Sequence, residues 1–382
     1  MNAVIVEAVR TPVGRRNGVL AQVHPADLSA TVLRGLVERT GIDPEAVDDV
    51  IWGCVQQVSE QAIDIARTAV LAAGWPETIP GVTVDRQCGS SQQAVNFAVA
   101  SVAAGHYDVV VAGGVESMTR VLMGSSTTIG HSPFPQSYRD RYDNVVPNQG
   151  VGAEIIAARW GLTRTDVDAY AARSHERAAA AQDAGLLADQ IVPVATPDGL
   201  VGTDEGIRRG TTVDTLVTLK PVFREDGVIH AGNASQISDG SAALLIMSEE
   251  AAGRHGLRPI ARVHTAVVTG DDPVIMLTGP IPATAKALKR SGLSLSDIGV
   301  FEVNEAFATV PLAWQRETGA DDGLLNPNGG AIAFGHPLGG SGARIMTDMI
   351  THMRRNRIRY GLQTMCEGGG QANATIIELL DT

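Results

Sequence analysis

The sequence repeats itself at a constant spacing of 251 residues. The first copy reads LVERTGI at 36–42 and VDDVIW at 47–52, and the second reads LKRSGL at 288–293 and IGVFEV at 298–303. The same spacing places a Gly-Ser pair at 89–90 on another at 340–341. Because glycines and turns match at one spacing over about fifty residues, we infer that one structural unit has been duplicated.

Each copy follows the same order of predicted elements. After the first Gly-Ser pair, apolar residues recur at helical spacing over 94–102, and an apolar run follows at 109–112. After the second pair, a helical pattern covers 343–350 and a strand-like run covers 361–365. Amphipathic helices that alternate with apolar strands predict an α/β fold, with helices packed on buried sheets and two similar halves.

A different kind of segment separates the halves. It contains a polar, Pro- and aromatic-containing stretch at 131–148 and helical runs near 151–160 and 164–182. We interpret residues 118–235 as an inserted loop domain. The predicted N-terminal half is 1–117, with 236–252 returning to it, and the predicted C-terminal half is 253–382.

Composition excludes several classes of protein. The net charge of −12 argues against a nucleic-acid partner, and any anionic substrate must meet a locally basic site. Three cysteines form neither a disulfide framework nor a zinc-ligand spacing, so no metal is expected. The N-terminus enters a strand-like segment directly, and no apolar run is long enough to span a bilayer. We expect a cytoplasmic protein with no membrane partner.

Cys88 is the first candidate catalytic residue. It lies in DRQCGSS at 85–91, after a strand-like segment at 81–85 and before a predicted helix. The positive end of a helix dipole is expected to lower the pKa of a thiol and so favour a nucleophilic thiolate. The alternative is a buried cysteine that packs as a small apolar group, which is our interpretation of Cys54.

Two further candidates lie in the second half, one in a loop and one at a strand end. His336 lies in the glycine-dense loop 326–342, where few side chains screen the imidazole, and histidine is the usual base for a thiol. Asn304 follows the predicted strand 300–303 and could orient a water or donate to an oxyanion. The alternatives are a hydrogen-bonded turn histidine and an asparagine that caps a strand.

A second thiol ends the second copy of the unit. Cys366 follows a predicted strand, and the glycines at 368–370 offer backbone N–H groups suited to an oxyanion hole. A second thiol could act as an acid or base; the alternative is a glycine-rich turn. Glu367 would raise the pKa of Cys366 if it faced that thiol, but we expect it to point away.

These blocks, in this order, resemble the thiolase family over nearly the whole chain. Three further segments fit the same resemblance: RTPVG at 10–14, GGVESM at 113–118 and GNASQISDG at 232–240. The resemblance implies layers in the order α/β/α/β/α and a ping-pong mechanism. Cys88, activated by His336, would attack the 3-keto carbon of a 3-ketoacyl-CoA, and Cys366 would reprotonate the departing acetyl-CoA carbanion.

The resemblance also implies two oxyanion sites. His336 and a water on Asn304 would hold the thioester oxygen of the CoA-bound acetyl unit. The backbone N–H groups of Cys88 and Gly368 would hold the oxygen of the acyl group on Cys88. Two covalent half-reactions need two such sets of donors.

Coenzyme A enters this scheme as a substrate, and no permanently bound cofactor is implied. The inserted segment would supply CoA and acyl contacts, with Arg208 near the nucleotide and Ser235 at the pantetheine. A solvated surface arginine is the alternative for Arg208. Acyl-CoA and CoA are then the small-molecule partners. Thiolases are commonly dimers or tetramers, so the resemblance also implies a homodimer or a homotetramer.

Acyl specificity depends on a segment in which the chain departs from part of the family. Acetoacetyl-specific thiolases carry a His-Met-Gly segment in the insertion, whereas this chain has VPNQG at 146–150. The sequence therefore favours a degradative thiolase with medium, long or bulky acyl groups. The alternatives are an acetyl-CoA acetyltransferase that condenses two acetyl-CoA to acetoacetyl-CoA and a non-catalytic acyl-CoA binding protein.

Overall fold

The strands of the computed structural model build one large sheet and one small hairpin. The structure describes residues 2–128 and 130–380. In that part of the chain the strands are β1 (Ala3–Arg10), β2 (Gly14–Arg15), β3 (Asp49–Gly53), β4 (Val82–Val84), β5 (Val109–Ser117), β6 (Val194–Thr196), β7 (Gly199–Val201), β8 (Ser238–Ser248), β9 (Ala261–Gly270), β10 (Val300–Val303), β11 (Tyr360–Glu367) and β12 (Gln371–Leu379).

Helices cover both faces of the large sheet. They are α1 (Pro25–Thr40), α2 (Ile65–Ala72), α3 (Ser90–Ala103), α4 (Gln136–Arg141), α5 (Gln149–Arg159), α6 (Arg164–Asp183), α7 (Val213–Leu216), α8 (Glu249–Arg254), α9 (Pro280–Ser291), α10 (Thr309–Thr318), α11 (Ala331–Phe334) and α12 (Ser341–Asn356). Short 3₁₀ helices lie at Pro44–Ala46, Ser59–Gln61, Ser125–Thr127, Ala188–Gln190, Leu295–Asp297, Asp322–Leu324 and Leu338–Gly340.

The duplicated unit is visible in how its helices begin and end. Proline occupies the first turn of both α1 and α9, where its missing N–H costs no hydrogen bond. Gly41 and Gly292, the glycines aligned by the repeat, end these two helices in the left-handed conformation with φ of 68° and 74°. Each donates its N–H to a carbonyl four residues earlier, so both helices terminate through one mechanism.

The sheet carries the same duplication. The order β3-β5-β8-β1 in the first half matches β10-β11-β12-β9 in the second, and the halves meet where Ile5 on β1 pairs with Ala261 on β9. The pair β3 and β5 is parallel, as is the pair β10 and β11, while the remaining pairs of these two four-strand series are antiparallel. β4 lies at the sheet edge beside β3.

The layers follow from which helices share each face. α3 and α12 pack on each other and on strands of both halves, and their core includes Ala94, Ala98, Met346 and Met349. α1 and α2 cover the other face of the first half, and α9 and α10 cover that of the second. The predicted α/β fold with two similar halves and α/β/α/β/α layers is confirmed.

The segment between the halves returns to the sheet through β8, which lies between β1 and β5. A buried ion pair between Arg10 and Asp204, 2.7 Å, ties the inserted segment to the first strand. No helix in residues 2–128 and 130–380 combines the length and apolarity needed to cross a bilayer.

Candidate active site

Cys88 lies in a tight turn between β4 and α3. Asp85 Oδ1 accepts a 2.7 Å hydrogen bond from Gln87 N, and Ser90 Oγ accepts one of 2.9 Å from Arg86 N. Gln87 adopts a left-handed φ of 49°, which reverses the chain directly before the cysteine. Gly89 is the N-cap of α3, so the thiol is held immediately before a helix N-terminus, as the sequence predicted.

Burial changes the resting state of this thiol. Cys88 is 3% exposed, and its burial, reinforced by the nearby Glu367 carboxylate, raises the pKa of the thiol to about 12. The expectation that the helix terminus would lower this pKa is wrong, because desolvation of the thiolate outweighs the dipole. Cys88 therefore rests as a thiol and needs a base.

His336 is placed by a loop with little room for side chains. A Cβ on Gly335, which has a φ of 108°, would lie 2.1 Å from Ser238 Oγ, so only glycine fits there. The backbone N–H of His336 donates to Gln236 O at 3.1 Å. Burial lowers the pKa of the imidazole to about 3, which keeps it neutral and able to accept a proton.

Hydrogen bonding fixes the tautomer of this imidazole. Ser341 Oγ donates to Pro337 O at 2.8 Å and lies 2.6 Å from His336 Nδ1. Since the single Ser341 hydroxyl proton is committed to Pro337, Nδ1 carries the proton and donates to Ser341. The other ring nitrogen, Nε2, keeps its lone pair and lies 3.4 Å from Asn304 Nδ2.

The two Gly-Ser turns of the repeat pack against each other. Ser91 Oγ, at the start of α3, accepts a 2.9 Å hydrogen bond from Ala343 N, at the start of α12. Glu116 also accepts from Gly339 N at 2.8 Å, which ties the His336 loop to the end of β5. The N-termini of α3 and α12 therefore meet at one site.

Cys366 and Asn304 complete the buried group of side chains. Burial raises the pKa of the Cys366 thiol well above its ordinary value, and negative charge on the neighbouring Cys88 and Glu367 raises it further. Asn304 follows β10, and its Oδ1 is buried with no hydrogen-bond partner in the described part of the chain. The site thus holds two protonated thiols, a neutral imidazole and an unpaired amide oxygen.

Cys88 opens into a cavity of about 670 Å³. Gly368 lines the same cavity, and a Cβ there would lie 2.8 Å from Gln87 Oε1, so the glycine lets the two loops approach. Phe134, Tyr138 and Tyr142 form another wall, with successive ring centroids 4.8 Å apart. One side of the cavity beyond the thiol is therefore aromatic, while Val55, Met276 and Leu338 add aliphatic surface elsewhere in its lining.

Arg208 and Ser235 line a second cavity, of about 460 Å³, with Arg15 and Arg16. His175 Nδ1 accepts a 3.1 Å hydrogen bond from Arg208 N and so fixes the backbone there. Gln236 lines this cavity too and accepts from His336 N, which connects it to the imidazole loop. Arg15 is paired with Glu205 of the same lining at 2.8 Å, so Arg16 and Arg208 supply the excess positive charge of this cavity.

Comparison with known proteins adds to this geometry. The family described as "Thiolase, N-terminal domain" matches residues 3–250, and "Thiolase, C-terminal domain" matches residues 257–379. The chain belongs to the thiolase family. Its similarity to a steroid 3-ketoacyl-CoA thiolase, FadA6, of Mycobacterium tuberculosis is 51% identity, covering 99% of this chain and 94% of that protein.

Two other thiolases show the same likeness. The 3-ketoacyl-CoA thiolase FadA of Escherichia coli K12 is 44% identical, with 98% of each chain covered. The crystal structure of the Bacillus anthracis acetyl-CoA acetyltransferase is 39% identical, has a TM-score of 0.91 and covers 99% of each chain. This thiolase is therefore an acyltransferase, as the sequence predicted.

One residue of the thiolase site was missed by sequence reasoning. Ser341, which sets the tautomer of His336, was noticed only as part of the repeat. The available signal was the repeat, which aligns Ser341 with Ser90 near Cys88. In the structure Ser90 holds the Cys88 turn by donating to Gln87 O at 2.6 Å, and Ser341 holds the His336 loop by donating to Pro337 O.

Proposed function

We propose that this thiolase cleaves 3-ketoacyl-CoA with free CoA to give acetyl-CoA and a shortened acyl-CoA, as in the β-oxidation of fatty acids. The observation that carries the proposal is the junction of α3 and α12. It combines the Cys88 thiol with the His336 imidazole. Because Nδ1 of that ring donates its proton to Ser341, the lone pair on Nε2 is free to accept a proton. The names of the FadA and FadA6 relatives support the direction of the reaction.

The first half-reaction forms an acyl-enzyme. His336 Nε2 takes the Cys88 proton, and the thiolate adds to the 3-keto carbon. The bond between C2 and C3 breaks, its electron pair stays on C2 of the acetyl-CoA unit, and Cys366 supplies the proton that quenches this carbanion. The high pKa of Cys366 suits this step, because the thiol must be protonated when the carbanion forms.

The second half-reaction releases the shortened chain. The sulfur of free CoA adds to the thioester carbon on Cys88, and its proton goes to the Cys366 thiolate. The bond from Cys88 to the acyl group breaks, and the departing thiolate recovers its proton from the His336 imidazolium. Both side chains thereby return to their starting protonation states.

Charge that develops on oxygen needs donors in both halves. We assign one site to His336 Nε2–H with a water bound at Asn304, and the unpaired Oδ1 of Asn304 supports the water. We assign the other to the backbone N–H groups of Cys88 and Gly368, which line one cavity.

CoA is proposed to lie in the basic cavity as a substrate. Arg208 would contact the nucleotide and Ser235 the pantetheine, and Arg16 adds positive charge to the same lining, whereas Arg15 pairs with Glu205. From there, Gln236 leads to the His336 loop. No tightly held cofactor or metal is part of the proposal.

The acyl group is proposed to be bulky and apolar. Phe134, Tyr138 and Tyr142 offer flat surfaces in the cavity of Cys88, where Pro147 and Gln149 of the VPNQG segment also lie. Ring faces pack well against fused or branched hydrocarbon. The name of FadA6 supports a steroid-derived chain as one such group.

The direct test is intact-mass analysis after incubation with a panel of 3-ketoacyl-CoAs. The wild type should gain the mass of the shortened acyl group. Cys88→Ser should gain no such mass in the same incubation time. Acyl groups with ring systems or medium to long chains should load faster than acetyl from acetoacetyl-CoA. Failure of every substrate to form an adduct would contradict the mechanism and favour a non-catalytic acyl-CoA binding protein.

The second candidate is acetyl-CoA acetyltransferase activity, which the Bacillus anthracis relative supports. The same panel separates the two. Acetyl-CoA alone should load Cys88 slowly and yield little acetoacetyl-CoA. If acetoacetyl-CoA were both the fastest donor and a ready product, the biosynthetic assignment would replace the degradative one.

We further propose a homodimer or a homotetramer in the cytoplasm. Edge strand β4 leads directly into the Cys88 turn and carries Val82, which is 43% exposed, and the equally exposed Phe97 lies on α3, which packs on β4. An unpaired edge with apolar neighbours suits pairing with a second copy. The proposed boundaries remain 1–117 with 236–252, 118–235 and 253–382, and the return of β8 to the first half supports them.

A further inference from the structure

Glu367 is a buried carboxylate that the mechanism does not use. It ends β11 directly after Cys366, is fully buried, and packs against the turn that carries Cys88. A Cβ on Gly89 would lie 1.9 Å from Glu367 Oε1, so the carboxylate fills space that this glycine leaves open. Glu367 therefore lies close to the Cys88 turn. Besides burial, its charge raises the pKa values of both Cys88 and Cys366, so the expectation that it would leave the Cys366 thiol unaffected is not met.

The carboxylate lacks the hydrogen bonds that the chain gives to other buried acids. Glu116 accepts hydrogen bonds from three backbone N–H groups, those of Val55, Gln56 and Gly339. Glu305 accepts four hydrogen bonds, from three side chains and one backbone N–H. In residues 2–128 and 130–380, Glu367 is the one carboxylate with both oxygens buried and without a donor. An ionised carboxylate in such a place is costly, whereas a neutral carboxylic acid is not.

The surroundings of Glu367 supply little compensation. Asn373 directs its amide N–H to Gly89 O at 3.2 Å, and its own Oδ1 is also buried without a partner. Arg86, the nearest cation, donates instead to Gln371 Oε1 at 3.0 Å. Burial therefore raises the pKa of Glu367 to about 8, with Arg86 and the backbone N–H of Asn373 acting against the shift and Asp85 adding to it.

We propose that Glu367 is a positioning residue that controls the Cys88 thiol through its own proton. As a neutral acid it packs beneath the turn and leaves Cys88 free to ionise when His336 takes the proton. As a carboxylate it places a negative charge against that turn and disfavours the thiolate. The titratable groups that face it are Arg86, Asp85 and Cys88 from the turn and Cys366 from its own strand. The inference rests on the proposed role of Cys88 as nucleophile.

The test is the rate of Cys88 alkylation by iodoacetamide between pH 6 and 9.5, with the modified residue identified by peptide mass mapping. Alkylation needs the thiolate but no substrate. In the wild type, the rise in rate with pH should flatten near pH 8, where Glu367 ionises. Glu367→Gln keeps the shape without the charge, so its rate should match the wild type below pH 7 and exceed it by about tenfold at pH 9.5, which corresponds to about one pKa unit.

A matched control is Glu378→Gln, which neutralises another buried glutamate on the neighbouring strand, where Arg262 and Arg359 pair with it. Its alkylation profile should keep the inflection. Coincident or parallel profiles of wild type and Glu367→Gln would overturn the proposal. If Glu367→Gln fails to fold, a wild-type profile without an inflection near pH 8 is equally decisive. If the profile shows the inflection but the enzyme forms no acyl adduct, the effect of Glu367 on Cys88 stands and the proposed function is refuted.

Discussion

At the scale of single residues, Cys88 and Cys366 carry the same chemical group and owe their different roles to their surroundings. Both are buried and both have raised pKa values. Cys88 differs because it opens into the acyl cavity and lies at the junction with the His336 loop, whereas Cys366 lies deeper. A nucleophile must reach the substrate, while a proton donor needs only to keep its proton until the carbanion forms.

This division predicts the behaviour of Cys366→Ala. The variant should still acquire an acyl group on Cys88 from a reactive acyl-CoA, because the nucleophile and its base are unchanged. It should not exchange the α-protons of acetyl-CoA with solvent deuterium, since the acid and base for that carbon is gone. Intact mass measures the first property and proton NMR the second. Wild-type exchange in the variant would refute the role of Cys366.

Ser341→Ala tests the tautomer of His336. Without the 2.6 Å contact at Nδ1, the ring loses the group that fixes its proton and orientation. We expect kcat to fall about tenfold to a hundredfold, which is at or below the lower end of the roughly 10²–10⁴-fold that general-base catalysis supplies, because the base is misoriented but still present; KM should change little.

Thr351→Ala is the matched control for this change, because its hydroxyl also donates to a backbone carbonyl in α12 but lies outside the site. Its kcat should stay near that of the wild type. Equal losses in both variants would mean that the helix, and not the imidazole, was affected.

At the scale of elements, the sequence predicted much of the framework. The spacing of 251 residues identified the two halves, and the predicted strand at 300–303 matches β10. The approach of the two Gly-Ser turns could only be inferred from the repeat, because it depends on the packing of α3 against α12. The raised pKa of Cys88 could not be predicted, since burial is a property of the assembled layers.

Glu116 links these elements and gives the third prediction. It lies on β5 and accepts hydrogen bonds from Val55, Gln56, Gln61 and Gly339, so it joins the loop after β3 to the His336 loop. In Glu116→Gln, a side-chain NH₂ would face backbone N–H donors. We expect the free energy of unfolding in urea to fall by about 1–3 kcal/mol, the cost of leaving a buried donor unsatisfied.

Glu250→Gln is the control for Glu116→Gln, because it makes the same substitution at an exposed position in the first turn of α8. Its unfolding free energy should change by less than about 0.5 kcal/mol. A neutral effect at Glu116 would show that the two loops are held by packing alone.

At the scale of the whole molecule, the duplicated halves place the site at their junction and leave β4 as an open edge next to it. The Cys88 turn begins one residue after β4 ends. If a second copy covers this edge, as proposed, the interface also supports the nucleophile. A change at the edge should then alter oligomeric state and activity together.

Phe97→Asp tests this coupling. Phe97 lies on α3 and is 43% exposed, so the substitution should be tolerated in a monomer, whereas a buried charge at an interface costs several kcal/mol. We expect light scattering after gel filtration to give half the wild-type mass or less, with a fall in kcat that recovers at high protein concentration. Leu200→Asp, on the β6–β7 hairpin and 72% exposed, should change neither quantity. An unchanged mass for Phe97→Asp would place the interface elsewhere.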